Sequence, residues 1–173
     1  SFTPATVERW RERTRQVVER VLDGIQTTEF NLISDFAGPV PTVVIAELLG
    51  IDPAKHDQFK TWSDESVKTA FNPFATEAQK AAGNAASAAL EGFIASEIKT
   101  RRQHLGQDLI SDMIRAEDNG ERLTEQEMIR QTNLLLVAGN VTTTDLIGNG
   151  IKALIDHPEQ LAKLRADPSL IKN

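Results

Sequence analysis

The chain has 173 residues, a formal net charge of -6 at pH 7, 40% hydrophobic and 25% charged residues, a composition typical of a soluble globular domain rather than a disordered segment. The acidic balance argues against binding to nucleic acid, whose phosphates require a basic surface. No cysteine is present, which excludes disulfide bonds and any thiolate ligand within the chain.

Membrane and targeting segments are not expected either. No uninterrupted apolar run reaches the roughly 18 residues that a membrane span needs. The chain does not open on a charged and then apolar signal segment. We therefore expect a cytoplasmic protein that contacts no membrane.

Most of the chain predicts helix, because apolar residues recur at intervals of three and four between breaks at glycine and proline. In chain order, the predicted helices cover residues 6–25, 40–49, 53–72, 76–102, 109–113, 124–155 and 159–166. A short irregular link is expected at residues 30–36, and no segment reads as a convincing strand. The predicted fold class is all-α, with one helical domain over residues 1–173.

Local signals mark where several of these helices begin and end. Gly50 ends the apolar helix at residues 40–49, and Asp108 caps the short helix at residues 109–113. Asp118-Asn119-Gly120 predicts a turn. Thr124 with Glu127 three residues later forms the capping-box pattern that begins the last long helix, and Asp156-His157-Pro158 ends that helix.

The middle of the long helix carries residues that are unfavourable there. Gly139 costs about 1 kcal/mol relative to alanine, and the run Thr142-Thr143-Thr144 costs a few tenths of a kcal/mol per residue. A threonine hydroxyl in a helix can bond to the carbonyl four residues earlier, so we expect Thr142 to reach Ala138. The result is a small notch lined by hydroxyls. It could admit a neighbouring helix closely, or it could form a pocket for a flat or diatomic ligand.

Residues 138–143 resemble the oxygen-activation motif on the long central helix of cytochromes P-450, in which alanine and glycine precede any residue, an acid and threonine. Other segments resemble bacterial members of the family, in the same order along the whole chain. These segments are Phe2-Thr3-Pro4 and residues 32–51, 108–110, 116–124, 157–160 and 164–168. The resemblance implies a multi-helix array around one long central helix, as in the P-450 fold.

The resemblance also implies the activity of the family, a haem-thiolate monooxygenase. Such an enzyme activates dioxygen at haem iron and hydroxylates a small hydrophobic organic substrate with electrons from a redox partner such as a ferredoxin. By this resemblance, Ala138 and Gly139 bind the haem cofactor and Thr142 assists proton delivery. The acid position holds Val141, which carries no proton, so Asp145 one turn later is the candidate replacement. The alternative for Asp145 is a solvated or capping carboxylate.

The haem cysteine of the family is not in this chain. The resemblance implies that the cysteine loop follows Asn173, after a Glu-x-x-Arg motif, and that a β-rich lobe precedes Ser1. We therefore expect an internal piece that is inactive by itself and that self-associates through uncovered apolar faces. A non-enzymatic helical module that binds a hydrophobic ligand or a partner helix is the alternative function.

Other candidate site residues have simpler interpretations. The three histidines, His56, His104 and His157, are far apart and lack the spacing of paired ligands on a helix, so no metal site is predicted. Three aromatic residues lie in segments that, by the resemblance, pack over a substrate pocket, but packing in the core is the favoured interpretation. They are Trp62, Phe71 and Phe74.

Overall fold

The computed structural model describes residues 4–70, 72–118 and 123–172, and these residues form helices without a strand. The α-helices, in chain order, are α1 (Pro4–Asp23), α2 (Pro39–Leu49), α3 (His56–Ala70), α4 (Glu77–Gln103), α5 (Leu109–Asp118), α6 (Glu125–Asp156) and α7 (Pro158–Ala166). One π-helical turn and two 3-10 turns complete them: Leu32–Ala37, Pro53–Lys55 and Pro168–Lys172. The predicted all-α fold class is confirmed.

The predicted helix boundaries agree closely with these elements in most places. Gly50 has φ 75° at the end of α2, the left-handed conformation that glycine adopts without steric cost, and its N–H bonds back to the last turn. Both halves of the predicted capping box are present at the start of α6, where Thr124 accepts from the Glu127 N–H and Glu127 accepts from the Thr124 N–H. The bond from the Thr124 N–H to the Glu127 carboxylate, together with a bond from the Thr124 hydroxyl at 2.8 Å, holds the pKa of the Glu127 carboxyl below its usual value.

Two predicted boundaries are wrong. The link predicted as irregular at residues 30–36 overlaps the π-helical turn Leu32–Ala37. Asn31 caps this turn, because its side chain accepts from the Ile33 and Ser34 N–H groups. Helix α5 continues to Asp118 instead of ending at Met113, because Met113 and Ile114 are both buried and extend its apolar face. The remainder of the turn predicted at residues 118–120 lies outside the described residues.

The prediction about membrane spans also needs correction. Residues Leu32–Leu49 are long and apolar enough, by length and composition alone, to cross a membrane. A count of uninterrupted apolar residues misses this segment because Asp35 and Glu47 fall inside it. A core helix of a soluble protein passes the same test, and Ala46 and Leu49 of α2 are buried at 0% and 1% exposure.

The hydrophobic core lies where α6 packs against α2, α3 and α4. Its buried side chains come from α2, α3, α4, α5 and α6 and, at Ile51, from the loop that follows α2. They are Ile45, Ala46, Leu49, Ile51, Phe59, Leu90, Ile94, Ile98, Ile110, Met113, Ile114, Met128, Ile129 and Leu136. Helix α6 is therefore central in the packing, as the resemblance implied, and one of its faces is used to hold the helix in place.

Candidate functional site

The candidate site is one face in the middle of α6. Ala138, Thr142 and Asp145 follow one another at intervals of four and three residues, so they lie on the same side of the helix, and all three are exposed. Leu134, four residues before Ala138, is also on this side and is 61% exposed. The four residues define what we call the open face of α6, a strip with apolar, hydroxyl and carboxylate groups in sequence.

The hydroxyl of Thr142 is held by its own helix. Thr142 Oγ1 donates to the Ala138 carbonyl oxygen at 2.5 Å, which confirms the predicted bond back along the helix. Because the single hydroxyl proton is used in this bond, the oxygen presents only lone pairs to the exterior. In this state Thr142 can accept a hydrogen bond from a molecule at the open face.

Gly139 lies toward a different side of α6. A Cβ added at Gly139 would come within 2.8 Å of Ile45 Cδ1 on α2, which is closer than side chains pack. The glycine therefore allows α2 and α6 to approach each other, which is the helix-crossing alternative that the sequence left open. Contact between Gly139 and a cofactor stays a prediction.

Asn140 was not identified as a site residue from the sequence. It is 5% exposed, its amide oxygen accepts from Thr42 Oγ1 on α2 at 3.2 Å, and its amide nitrogen donates to Ser63 Oγ on α3 at 3.2 Å. The Thr144 hydroxyl lies 3.3 Å from the Ala37 carbonyl oxygen and 3.5 Å from Asn140 Oδ1, so its single proton is shared between these two acceptors. An asparagine in an apolar helix, four residues after the buried Leu136, was the available signal for this network.

Val141 and Asp145 differ in how they meet the solvent. Val141, in the position of the family's acid, is half-buried and has no group that exchanges protons. Asp145 is exposed, which agrees with the alternative of a solvated carboxylate. Its replacement of the missing acid stays a prediction, because exposure alone does not join it to the Thr142 hydroxyl.

The aromatic candidates separate into core and surface. Trp62 is half-buried against Phe93, with ring centroids 5.8 Å apart, so the interpretation as core packing is correct for it. That interpretation is wrong for Phe74, which is 90% exposed, since it follows Pro73 in a turn outside the helices. Phe71 lies outside the described residues.

The histidines are accounted for by local contacts. His56 Nε2 lies 2.9 Å from the Ile51 carbonyl oxygen, and His104 and His157 occupy the ends of α4 and α6. Within residues 4–70, 72–118 and 123–172, no group of three or more histidine, aspartate or glutamate side chains is arranged to hold a metal ion.

Comparisons with known proteins give one consistent family. The family model described as cytochrome P450 matches residues 7–169. Cytochrome P450 107B1 of Saccharopolyspora erythraea is 38% identical over 172 residues, which cover 99% of this chain and 40% of that protein. Cytochrome P450 monooxygenase PikC of Streptomyces venezuelae is 37% identical over 174 residues, which cover 98% of this chain and 40% of that protein.

Solved structures agree with the sequence comparisons. The ligand-free structure of cytochrome P450 TbtJ1 has a TM-score of 0.91 at 39% sequence identity and covers 98% of this chain, which in turn covers 45% of that chain. The cytochrome P450 PksS of Bacillus subtilis has a TM-score of 0.87 at 34% identity, with 98% of this chain and 42% of that chain covered. The chain thus spans less than half the length of the relatives it matches.

Proposed function

This chain belongs to the cytochrome P450 family, and we propose that the protein containing it is a haem-thiolate monooxygenase that hydroxylates a small hydrophobic organic substrate. The electrons would come from a redox partner such as a ferredoxin, and the enzyme would act in the cytoplasm. The observation that carries the proposal is the open face of α6. The family's motif falls on a helix that is otherwise packed in the core, and its alanine and threonine are left uncovered.

Members of this family bind haem, and the residues of the open face fit one side of such a group. Ala138 is the smallest side chain of the strip and is exposed, so a flat macrocycle could approach the helix backbone there. Leu134 adds apolar surface one turn earlier. The chain has no cysteine, so the thiolate has to come from outside residues 1–173. By itself this chain would supply one wall of the haem pocket and remain inactive.

Bound haem supplies the iron at which dioxygen is reductively activated, and a thiolate ligand promotes cleavage of the O–O bond. Thr142 would bind a water molecule at this face, because its hydroxyl proton is engaged with Ala138 and its lone pairs are free to accept. Val141 excludes water from its position and delivers no proton. Asp145 would then be the nearest carboxylate on the open face that exchanges protons with solvent.

Relatives with similar structures hold chemically different molecules. The cytochrome P450 CYP109E1 from Bacillus megaterium was solved with corticosterone and with testosterone, whereas P450BioI was solved with a fatty acid linked to acyl carrier protein. The chemistry that these ligands share is an extended apolar body, which is the class we propose here.

Haem titration of the full-length protein tests the proposal. We expect Ala138→Leu to weaken haem binding at least several-fold, because the larger side chain fills the space where the macrocycle meets α6. Ala162→Leu is the matched control, since it makes the same change at an exposed position on α7. If neither variant changes binding, or the unmodified protein binds no haem, the proposal fails and a non-enzymatic helical module becomes the better account.

A further inference from the structure

Three helices meet at one buried polar cluster behind the open face of α6. Asn140, Thr42 and Ser63 are 5%, 2% and 0% exposed, and each comes from a different helix. The Asn140 amide bonds to both other side chains at 3.2 Å. The hydrophobic core that also joins α2, α3 and α6 is held by contacts that have no preferred direction, whereas these hydrogen bonds are directional.

The cluster and the open face lie on opposite sides of α6. Asn140 is two residues from Ala138 and two residues from Thr142, and two residues correspond to about 200° of rotation around a helix axis. The burial agrees with this geometry, since Asn140 is buried while Ala138 and Thr142 are exposed. Whatever fixes the rotation of α6 at Asn140 therefore also fixes the direction in which Thr142 points.

We propose that Asn140 is a positioning residue that acts through Thr142 by setting the rotation and register of α6 against α2 and α3. This inference rests on the function proposed above. Moving α6 by one residue would shift it about 1.5 Å and rotate it about 100°, which would break both amide bonds. Apolar contacts alone would permit smaller shifts and rotations of α6 than this, because they have no preferred direction.

The neighbouring residues limit the same movement. Thr144 ties α6 to the Ala37 carbonyl at the end of the π-helical turn, and Gly139 keeps α2 close. The Thr42 hydroxyl lies 3.0 Å from the Gly38 carbonyl oxygen and 3.2 Å from Asn140 Oδ1, so its single proton is shared between these two acceptors. Loss of the Asn140 amide would leave the Ser63 hydroxyl, which is 0% exposed, without the amide donor, whereas the Thr42 hydroxyl would keep its bond to the Gly38 carbonyl.

Hydrogen exchange of the haem-free full-length protein tests, without depending on activity, whether Asn140 holds α6 in place. We expect Asn140→Leu, which keeps the number and branching of the side-chain heavy atoms but removes the amide, to speed backbone exchange in residues 138–146 about tenfold, the size expected when a buried polar group loses its partners. Ser111→Ala is the control, since it removes a buried hydroxyl on α5 that accepts from the Gly106 N–H at 2.8 Å. It should leave residues 138–146 unchanged. Equal effects of the two variants on this segment would overturn the inference.

A double-mutant cycle tests whether Asn140 acts through Thr142. The quantity measured is product formed per reducing equivalent in the loaded full-length enzyme. Asn140→Leu should lower this ratio about tenfold, because misplacing a catalytic group by on the order of 1 Å can slow the reaction by up to about 10²-fold. In a Thr142→Ala background, Asn140→Leu should have little further effect on the ratio. Equal effects of Asn140→Leu in both backgrounds would overturn the positioning role.

A triple variant separates a role of Asn140 in positioning Thr142 from a role in stabilising the packing alone. Thr42→Val, Ser63→Ala and Asn140→Leu together replace the cluster by apolar groups. No polar side-chain atom of the cluster is then left unpaired, so the free energy of unfolding should return toward that of the unmodified protein. Product per reducing equivalent should stay low. Recovery of both quantities would overturn the inference. If the unmodified protein bound no haem, the proposed function would be refuted. The hydrogen-exchange experiment would still test whether Asn140 holds α6 in place.

Discussion

Replacing Gly139 by alanine tests how closely α2 approaches α6 beside the open face. The new Cβ would lie 2.8 Å from Ile45 Cδ1 and 3.6 Å from Ile45 Cγ1, and Ile45 is 8% exposed. The nearest atom is the far end of a side chain, so Ile45 can shift, at an overpacking cost of about 1–3 kcal/mol. Alanine returns about 1 kcal/mol of helix propensity. We expect the free energy of unfolding to fall by about 0–2 kcal/mol.

Two further variants make the expectation specific. Gly150→Ala is the matched control on the same helix, where an added Cβ meets nothing within 4 Å, so we expect stabilisation by about 1 kcal/mol. Ile45→Val removes the Cδ1 atom that the alanine would meet. Alone it should cost about 0.5–1.5 kcal/mol, but combined with Gly139→Ala it should cost less than the sum of the single changes.

Equilibrium urea unfolding followed by circular dichroism measures these differences. Protein concentration has to be held constant, because association shifts apparent stability. If Gly139→Ala and Gly150→Ala stabilise equally, or if the Ile45 cycle is additive, the close approach of α2 and α6 at Gly139 is refuted.

Three other predictions concern the same helix and its surroundings. Val141→Glu in the full-length enzyme should raise product formed per reducing equivalent, since a positioned proton relay contributes about 10²–10⁴-fold, and Asp145→Asn should lower it; tight coupling in the unmodified protein that survives Asp145→Asn would contradict both. The isolated chain should associate, because Leu146 and Ile155 of α6 are 71% and 65% exposed, and a monomer that persists at all concentrations in light scattering would contradict this. Because the pKa of Glu127 is depressed in the folded protein, this carboxylate stabilises the fold at pH above its ordinary pKa of 4.5, and the stabilisation is lost as the pH falls below that value. Glu127→Gln, which keeps the capping box, should therefore narrow the difference in Tm between neutral and acidic buffer. An unchanged difference would refute the role of the Glu127 carboxylate in this pH dependence.

Local chemistry explains which parts of the fold could be predicted. The capping box at Thr124 and the glycine at Gly50 depend on residues close in sequence, so the ends of α6 and α2 were predicted correctly. The π-helical turn was not predicted, because its closing bond from the Gly38 N–H to the Ile33 carbonyl has no distinct sequence signature. The end of α5 depends on burial of Ile114 by other helices, which periodicity within ten residues does not report.

The candidate site shows the same division. The bond from Thr142 to Ala138 was predicted because both partners lie within one turn. The partners of Asn140 are 98 and 77 residues away in sequence, so no local pattern indicates that Thr42 and Ser63 meet it. The resemblance assigns Gly139 to the cofactor, whereas a Cβ added at Gly139 would meet Ile45. This proximity depends on how α2 packs on α6, which no local sequence pattern indicates.

We propose that this chain forms one wall of a haem pocket whose thiolate ligand lies elsewhere in the protein. The most direct measurement is the absorption spectrum of the reduced carbon-monoxide complex, recorded for the full-length protein and for residues 1–173 with added haem. We expect the thiolate-type band that gives the family its name in the full-length protein only, because this chain contains no cysteine to ligate iron. A thiolate-type band from residues 1–173 alone, or its absence from the full-length protein, would contradict the account.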